Sequence, residues 1–166
     1  MDSNILEILY KKYYNAAYLY TLSLCNNKAL SEDIVSDAFV KAFLSLKKDN
    51  GSFKYWLLVV CKNLYIDYLR KEKKRSLFTF EEMEAAAVDE AIDEIILNSE
   101  RNRLIYKAIM SLDIKYREIL VLYYYSSMTL TEIATLLKIT KENTKVILHR
   151  ARKKLKISLE EEGYEF

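Results

Sequence analysis

Proline is absent from the 166 residues, and glycine occurs only twice, as Gly51 and Gly163. Sheets joined by tight hairpins draw on both residues and phosphate-cradling loops need glycine, so the composition predicts an all-α chain and excludes a glycine-rich nucleotide site. A single histidine, His149, and two cysteines, Cys25 and Cys61, leave no ligand set for a metal of ordinary coordination number. Both cysteines sit in apolar stretches and no charged-then-apolar leader is seen, so the expected setting is a reducing cytoplasm. The longest uncharged apolar runs, such as Tyr55 to Cys61, are too short to cross a bilayer. No nucleophile elbow occurs and paired carboxylates concentrate in one short segment, so neither an enzyme nor a cofactor is expected.

What is present is charge, arranged in blocks. Hydrophobic residues make up 51% and charged ones 30%, which suits one or two small domains with a core large enough to fold unaided. Net charge is only +2, yet residues 1–76 carry 13 basic and 8 acidic side chains, residues 77–100 carry 0 and 8, and residues 101–166 carry 13 and 8. Two basic modules therefore flank an acidic linker, and the expected division is 1–76, 77–100 and 101–166. Each module ends in a basic run, Arg70 to Arg75 and Arg150 to Lys156. One such run suits a helix C-terminus; two of them, each closing a basic module, point to a polyanionic partner.

In the second module, Thr129-Leu130-Thr131-Glu132 is a capping box, and Leu130, Ile133, Ala134, Leu136 and Leu137 fall on one helical face behind it. Lys138-Ile139-Thr140 forms a turn, with Thr140 as the cap of a second helix that sends Thr144, Ile147, Leu148, Ala151 and Leu155 to the core. This is the pattern of a helix-turn-helix, whose second helix lies in the DNA major groove. Lys145, Val146, His149, Arg150 and Lys153 point outward together, offering donors to bases and phosphates and a methyl surface to thymine.

In the first module, a helix is expected from Ser31 to Leu46, opened by Ser31 with Glu32 and Asp33 in its first turn. Asp33, Ser36, Asp37 and Val40 share one face, while Ile34, Ala38, Phe39, Ala42 and Phe43 supply a core stripe. After a polar break comes Phe53-Lys54-Tyr55-Trp56-Leu57, running into a helix that continues to Arg70. Aromatics interleaved with lysines suit single-stranded DNA, because bases stack on rings while lysines neutralise phosphates.

Taken in order, Ser31 to Phe43, Phe53 to Arg75 and Leu112 to Leu155 resemble the polymerase-docking, minus-ten and minus-thirty-five segments of a bacterial sigma factor of the extracytoplasmic-function (ECF) class. The resemblance implies a subunit that recruits core RNA polymerase to promoter DNA, touching the beta-prime clamp and the beta flap; an anti-sigma factor is a further candidate partner, whose existence the sequence leaves open. It implies docking through Asp33, Ser36, Asp37 and Val40. Minus-ten recognition and melting fall to Asn50, Lys54, Tyr55, Trp56, Lys62, Asn63 and Arg70, and minus-thirty-five reading to Thr131, Lys145, Val146, His149, Arg150 and Lys153. The sequence departs from the family pattern at Ser36, where glutamine is usual, and at Lys138, where glycine is usual; a left-handed lysine there costs about 1 kcal/mol. The alternative is a helix-turn-helix regulator that binds duplex DNA without polymerase, which accounts for the second module and leaves the first unexplained.

Overall fold

A computed structural model of the chain describes residues 3–45, 53–75 and 99–164. These form seven helices with no strand among the described residues, and they divide into two compact units. Asn50, its loop and most of the acidic linker lie outside the described residues.

The first unit is a three-helix bundle of α1 (Ser3–Cys25), α2 (Lys28–Ser45) and α3 (Phe53–Arg75), each packed on the other two. The last two turns of α1 are enclosed on every side, from Ala17 to Leu24. Their hydroxyls turn inward to the backbone: Thr21 Oγ1 donates to the Ala17 carbonyl at 2.8 Å, and Ser23 donates to that of Tyr20. Beside Thr21, burial pushes the Cys61 thiol up to about 12, against a smaller opposing effect of the Thr21 hydrogen bond. Two expectations are corrected here. The second helix starts at Lys28, where the Asn27 side chain accepts the Leu30 amide at 3.0 Å, and Ser31 is buried inside it, donating to the Asn27 carbonyl at 2.7 Å. Phe43 is 47% exposed rather than core, because the buried line runs through Val35, Ala38, Phe39 and Ala42 and leaves Phe43 on the flank. The third helix extends past Arg70, carrying the whole basic run to Arg75.

The second unit comprises α4 (Glu100–Met110), α5 (Ile114–Tyr124), α6 (Leu130–Leu137) and α7 (Lys141–Glu161). Helix α7 packs against the other three, with Leu148, Ala151 and Leu159 buried along it. Fully enclosed Ile109, Ile119, Leu120, Leu122 and Ile133 complete the core.

Scarcity of glycine shows at the helix ends. Among the described residues, the left-handed positions that commonly stop helices are Asn26 after α1, Ser127 after α5, Lys138 after α6 and Gly163 after α7, so glycine takes one of four. Each side chain in that region of backbone carries a steric penalty glycine avoids.

Candidate docking and nucleic-acid interfaces

Along α2, Asp33, Ser36, Asp37 and Val40 are all exposed, as their spacing requires once Val35, Ala38 and Ala42 turn inward. Val40, at 55% exposure, places an unpartnered apolar side chain beside two carboxylates. Sequence reasoning missed what lies next to it. The first turns of α1 stand off from α2 and leave an apolar groove of about 440 Å³, with Leu6, Tyr10, Phe39 and Phe43 along it and Ser36 and Val40 shared with the exposed face of α2. The apolar residues that α1 brings to it, Leu6 and Tyr10, are four apart and so share one side of that helix.

On α3, Lys54, Tyr55, Trp56 and Lys62 are half-buried and Asn63 and Arg70 exposed. Trp56 lies against Phe53 with ring centroids 5.9 Å apart, and Phe53 in turn meets Tyr13 at 5.6 Å and Phe39 at 6.2 Å. The indole is thus backed by an aromatic cluster that holds it in place while part of its surface stays open, the arrangement a stacking platform needs. Steps of seven, four and three residues bring Trp56, Asn63, Asp67 and Arg70 onto one side of the helix. Asp67 sits 3.6 Å from Arg70, an exposed pair too weak to withhold the guanidinium from a phosphate.

In the second unit the helix-turn-helix is built by local hydrogen bonds. Thr129 Oγ1 accepts the Glu132 amide at 3.1 Å and the Glu132 carboxylate accepts the Thr129 amide at 3.1 Å, so both halves of the capping box are made. Lys138 adopts φ 58° and ψ 43°, and the Ile139 amide donates back to the Ala134 carbonyl at 3.0 Å, closing α6. Two residues on, Thr140 Oγ1 accepts the Asn143 amide at 3.0 Å and opens α7. The buried Thr144 hydroxyl donates to the Thr140 carbonyl at 2.9 Å, which lets a polar residue occupy a core position.

That framework leaves Lys145, Val146, His149, Arg150 and Lys153 exposed on α7, and Thr131 exposed near the start of α6, as expected. Residues 143–156 contain six Lys/Arg and no carboxylate, so the middle of α7 presents an uninterrupted positive surface. Ile147 and Leu155 are half-buried at the edge of the core. Among the described residues no group of His, Cys, Asp and Glu has metal-site geometry, and no helix is long and apolar enough to cross a membrane.

Comparison with known proteins agrees with this geometry. Residues 9–75 match the model of Sigma-70 region 2, and residues 102–155 that of Sigma-70, region 4. The chain is 30% identical over 152 residues to the ECF RNA polymerase sigma factor SigM of Bacillus subtilis, covering 91% of this chain and 93% of SigM. It is 28% identical to SigW of the same organism, covering 95% and 88%. The sigma factor RpoE of Bartonella quintana, solved in complex with the anti-sigma factor NepR, shares the fold with a TM-score of 0.66 at 19% identity, over 93% of this chain and 96% of that one. Two family regions in order and a relative matched almost end to end establish that the chain belongs to the ECF sigma factors, the promoter-selecting subunits that bind core RNA polymerase to start transcription.

Proposed function

We propose that the two units divide the work of initiation as follows. Helix α2 docks on the beta-prime clamp through Asp33, Ser36, Asp37 and Val40, where Val40 supplies apolar contact and the carboxylates select a basic partner surface. Helix α3 and the loop before it meet the minus-ten element. Trp56 and Tyr55 stack on bases as the strands part, Asn50 and Asn63 read exposed base edges, and Lys54, Lys62 and Arg70 neutralise the backbone. Separating and unstacking bases costs a few kcal/mol, which stacking on fixed rings offsets. Helix α7 lies in the minus-thirty-five major groove, with Lys145 and Arg150 donating to guanine or phosphate, Val146 against a thymine methyl and His149 as a further donor. Thr131 fixes the register through a phosphate. The beta flap engages this second unit, and residues 77–100 link it in sequence to the first. The chain carries no chemistry of its own; phosphodiester synthesis belongs to the polymerase.

The observation that carries this reading is the pairing, in one chain, of an exposed acidic-apolar face in one unit with a carboxylate-free basic helix face in the other. Run-off transcription from a genomic promoter library tests it. Promoter-specific transcripts should appear only when core polymerase and this protein are both present. Tight sequence-specific duplex binding by the protein alone, with no binding to core polymerase, would instead establish a self-sufficient regulator.

A further inference from the structure

Helix α5 closes on three consecutive tyrosines that face different neighbours. The Tyr125 hydroxyl points to the Asn102 carbonyl of α4 at 3.4 Å, and its ring meets that of Tyr106 edge-on at 5.4 Å. Tyr123 and Tyr124, edge-on to each other at 5.0 Å, receive a side chain from α7. The Arg152 guanidinium carbon lies 5.2 Å from the Tyr123 centroid and 5.7 Å from that of Tyr124, and Arg152 Nε donates to the Tyr124 hydroxyl oxygen at 2.7 Å. The hydrogen bond favours the charged form of the guanidinium, raising its pKa against a smaller effect of burial.

Arg152 belongs by sequence to the basic run of α7, yet it sits roughly 200° around the helix from Arg150. Its surroundings give that placement a purpose. Between Leu148 and Leu159 the only fully buried residue of α7 is Ala151, whose methyl group keys the helix poorly against rolling on its support. Half-buried Leu155 and Lys154 over Tyr116 at 5.3 Å add contacts there, and a guanidinium beside two rings with a directional hydrogen bond supplies the most orientation-specific one.

We propose that Arg152 is a positioning residue for promoter recognition: its clamp on Tyr123 and Tyr124 fixes the roll of α7, so that Lys145, Val146, His149 and Arg150 face the bases together, and it makes no DNA contact itself. This rests on the minus-thirty-five reading given above.

The test uses holoenzyme assembled from core polymerase and the full-length chain, measuring promoter affinity on consensus and single-mismatch minus-thirty-five elements. A wrong base pair lowers wild-type affinity about 5- to 150-fold. Arg152→Ala should shrink that discrimination about three- to tenfold at several positions at once, given the energies of exposed cation–π contacts and charged hydrogen bonds. Tyr124→Phe should do so more weakly, and the double variant should be no worse than Arg152→Ala, since both remove one clamp. Arg152→Lys should fail to rescue, because an ammonium lacks the planar fork that lies near the Tyr123 ring while its Nε–H donates to the Tyr124 hydroxyl. Both side chains are partly exposed, so these variants fold, and far-UV circular dichroism verifies it.

Multiplying effects in the cycle, rescue by lysine, or a salt slope lowered by about 0.9 on removing Arg152 would each mean a phosphate contact and overturn the proposal. Lys145→Ala and Arg150→Ala separate the two readings. If they leave discrimination intact while the Arg152–Tyr124 cycle on consensus affinity remains non-additive, the reading face has been misassigned and the clamp stands; an additive cycle removes the clamp whatever the controls do.

Discussion

Lys138 occupies left-handed backbone, φ 58° and ψ 43°, at the turn between the two helices of the DNA-reading motif. Its side chain is exposed and takes part in no ion pair among those formed by the described residues, so replacing it tests the backbone almost in isolation. A non-glycine residue in this region costs about 1–2 kcal/mol. Glycine relieves that strain but adds about 0.4–1 kcal/mol of conformational freedom to the unfolded chain. Lys138→Gly should therefore stabilise the second unit by about 0.5–1 kcal/mol, which for a unit of this size is a rise of roughly 2–8 °C in Tm. The sole tryptophan, Trp56, lies in the first unit, so its fluorescence reports that unit and none of the second. Thermal unfolding followed by circular dichroism at 222 nm should show the later or earlier of two components move, while the tryptophan-detected transition stays in place. Lys138→Ala, which removes the charge and keeps the strain, should leave both near wild type. A fall in Tm for the glycine variant, or an equal rise for alanine, would refute the argument, because strain relief requires glycine specifically.

Thr129→Ala breaks both bonds of the capping box and should lower the stability of the same unit by about 1 kcal/mol, with Thr129→Ser retaining most of it; differential melting checks both. Val40→Glu should weaken binding to core polymerase about tenfold or more, measured by fluorescence anisotropy, with Tm unchanged because the side chain is exposed. Cys61 should resist thiol reagents at pH 8 in the native protein while half-buried Cys25 reacts; two fast thiols would contradict its burial. Its pKa is raised from 9.0 to about 12 on folding, so the folded state holds the proton more tightly. The stability this confers is complete below pH 9 and is lost as pH rises from 9 toward 12, where the unfolded thiol ionises first; a flat profile for wild type matching that of Cys61→Ala would sink the assignment.

The elements most legible in the sequence were those whose signals are local. The capping box at Thr129, the cap at Thr140 and the outward face of Lys145, Val146, His149 and Arg150 involve residues within one or two turns of each other, and all are found as expected. The start of α2 misled because Ser31-Glu32-Asp33 is a good opening in isolation. What decides the start is Asn26, whose left-handed conformation ends α1 and leaves Asn27 to cap four residues earlier than Ser31. Phe43 and the groove beside Val40 were hidden for a different reason. Helical spacing places Phe43 near the core line but does not say that α1, whose Leu6 and Tyr10 line the groove, fails to close over it.

Charge was legible as a sum and less so as a direction. Arg150, Arg152 and Lys153 read as one basic run, yet the 100° step of the helix sends Arg150 and Lys153 outward and Arg152 onto the tyrosines of α5. The same step explains how one helix serves two demands that conflict at the level of composition. A recognition helix needs cations with nothing near to neutralise them, and it also needs a rigid seat, which normally calls for large apolar side chains. Aromatic rings resolve the conflict, since they pack as apolar groups while accepting a cation on their faces. A carboxylate partner in place of Tyr124 would hold Arg152 as firmly and would set a negative charge beside the surface that must attract phosphates. Tyr124→Glu should accordingly preserve Tm and lower promoter affinity at low salt, an effect that fades as added salt screens the new charge.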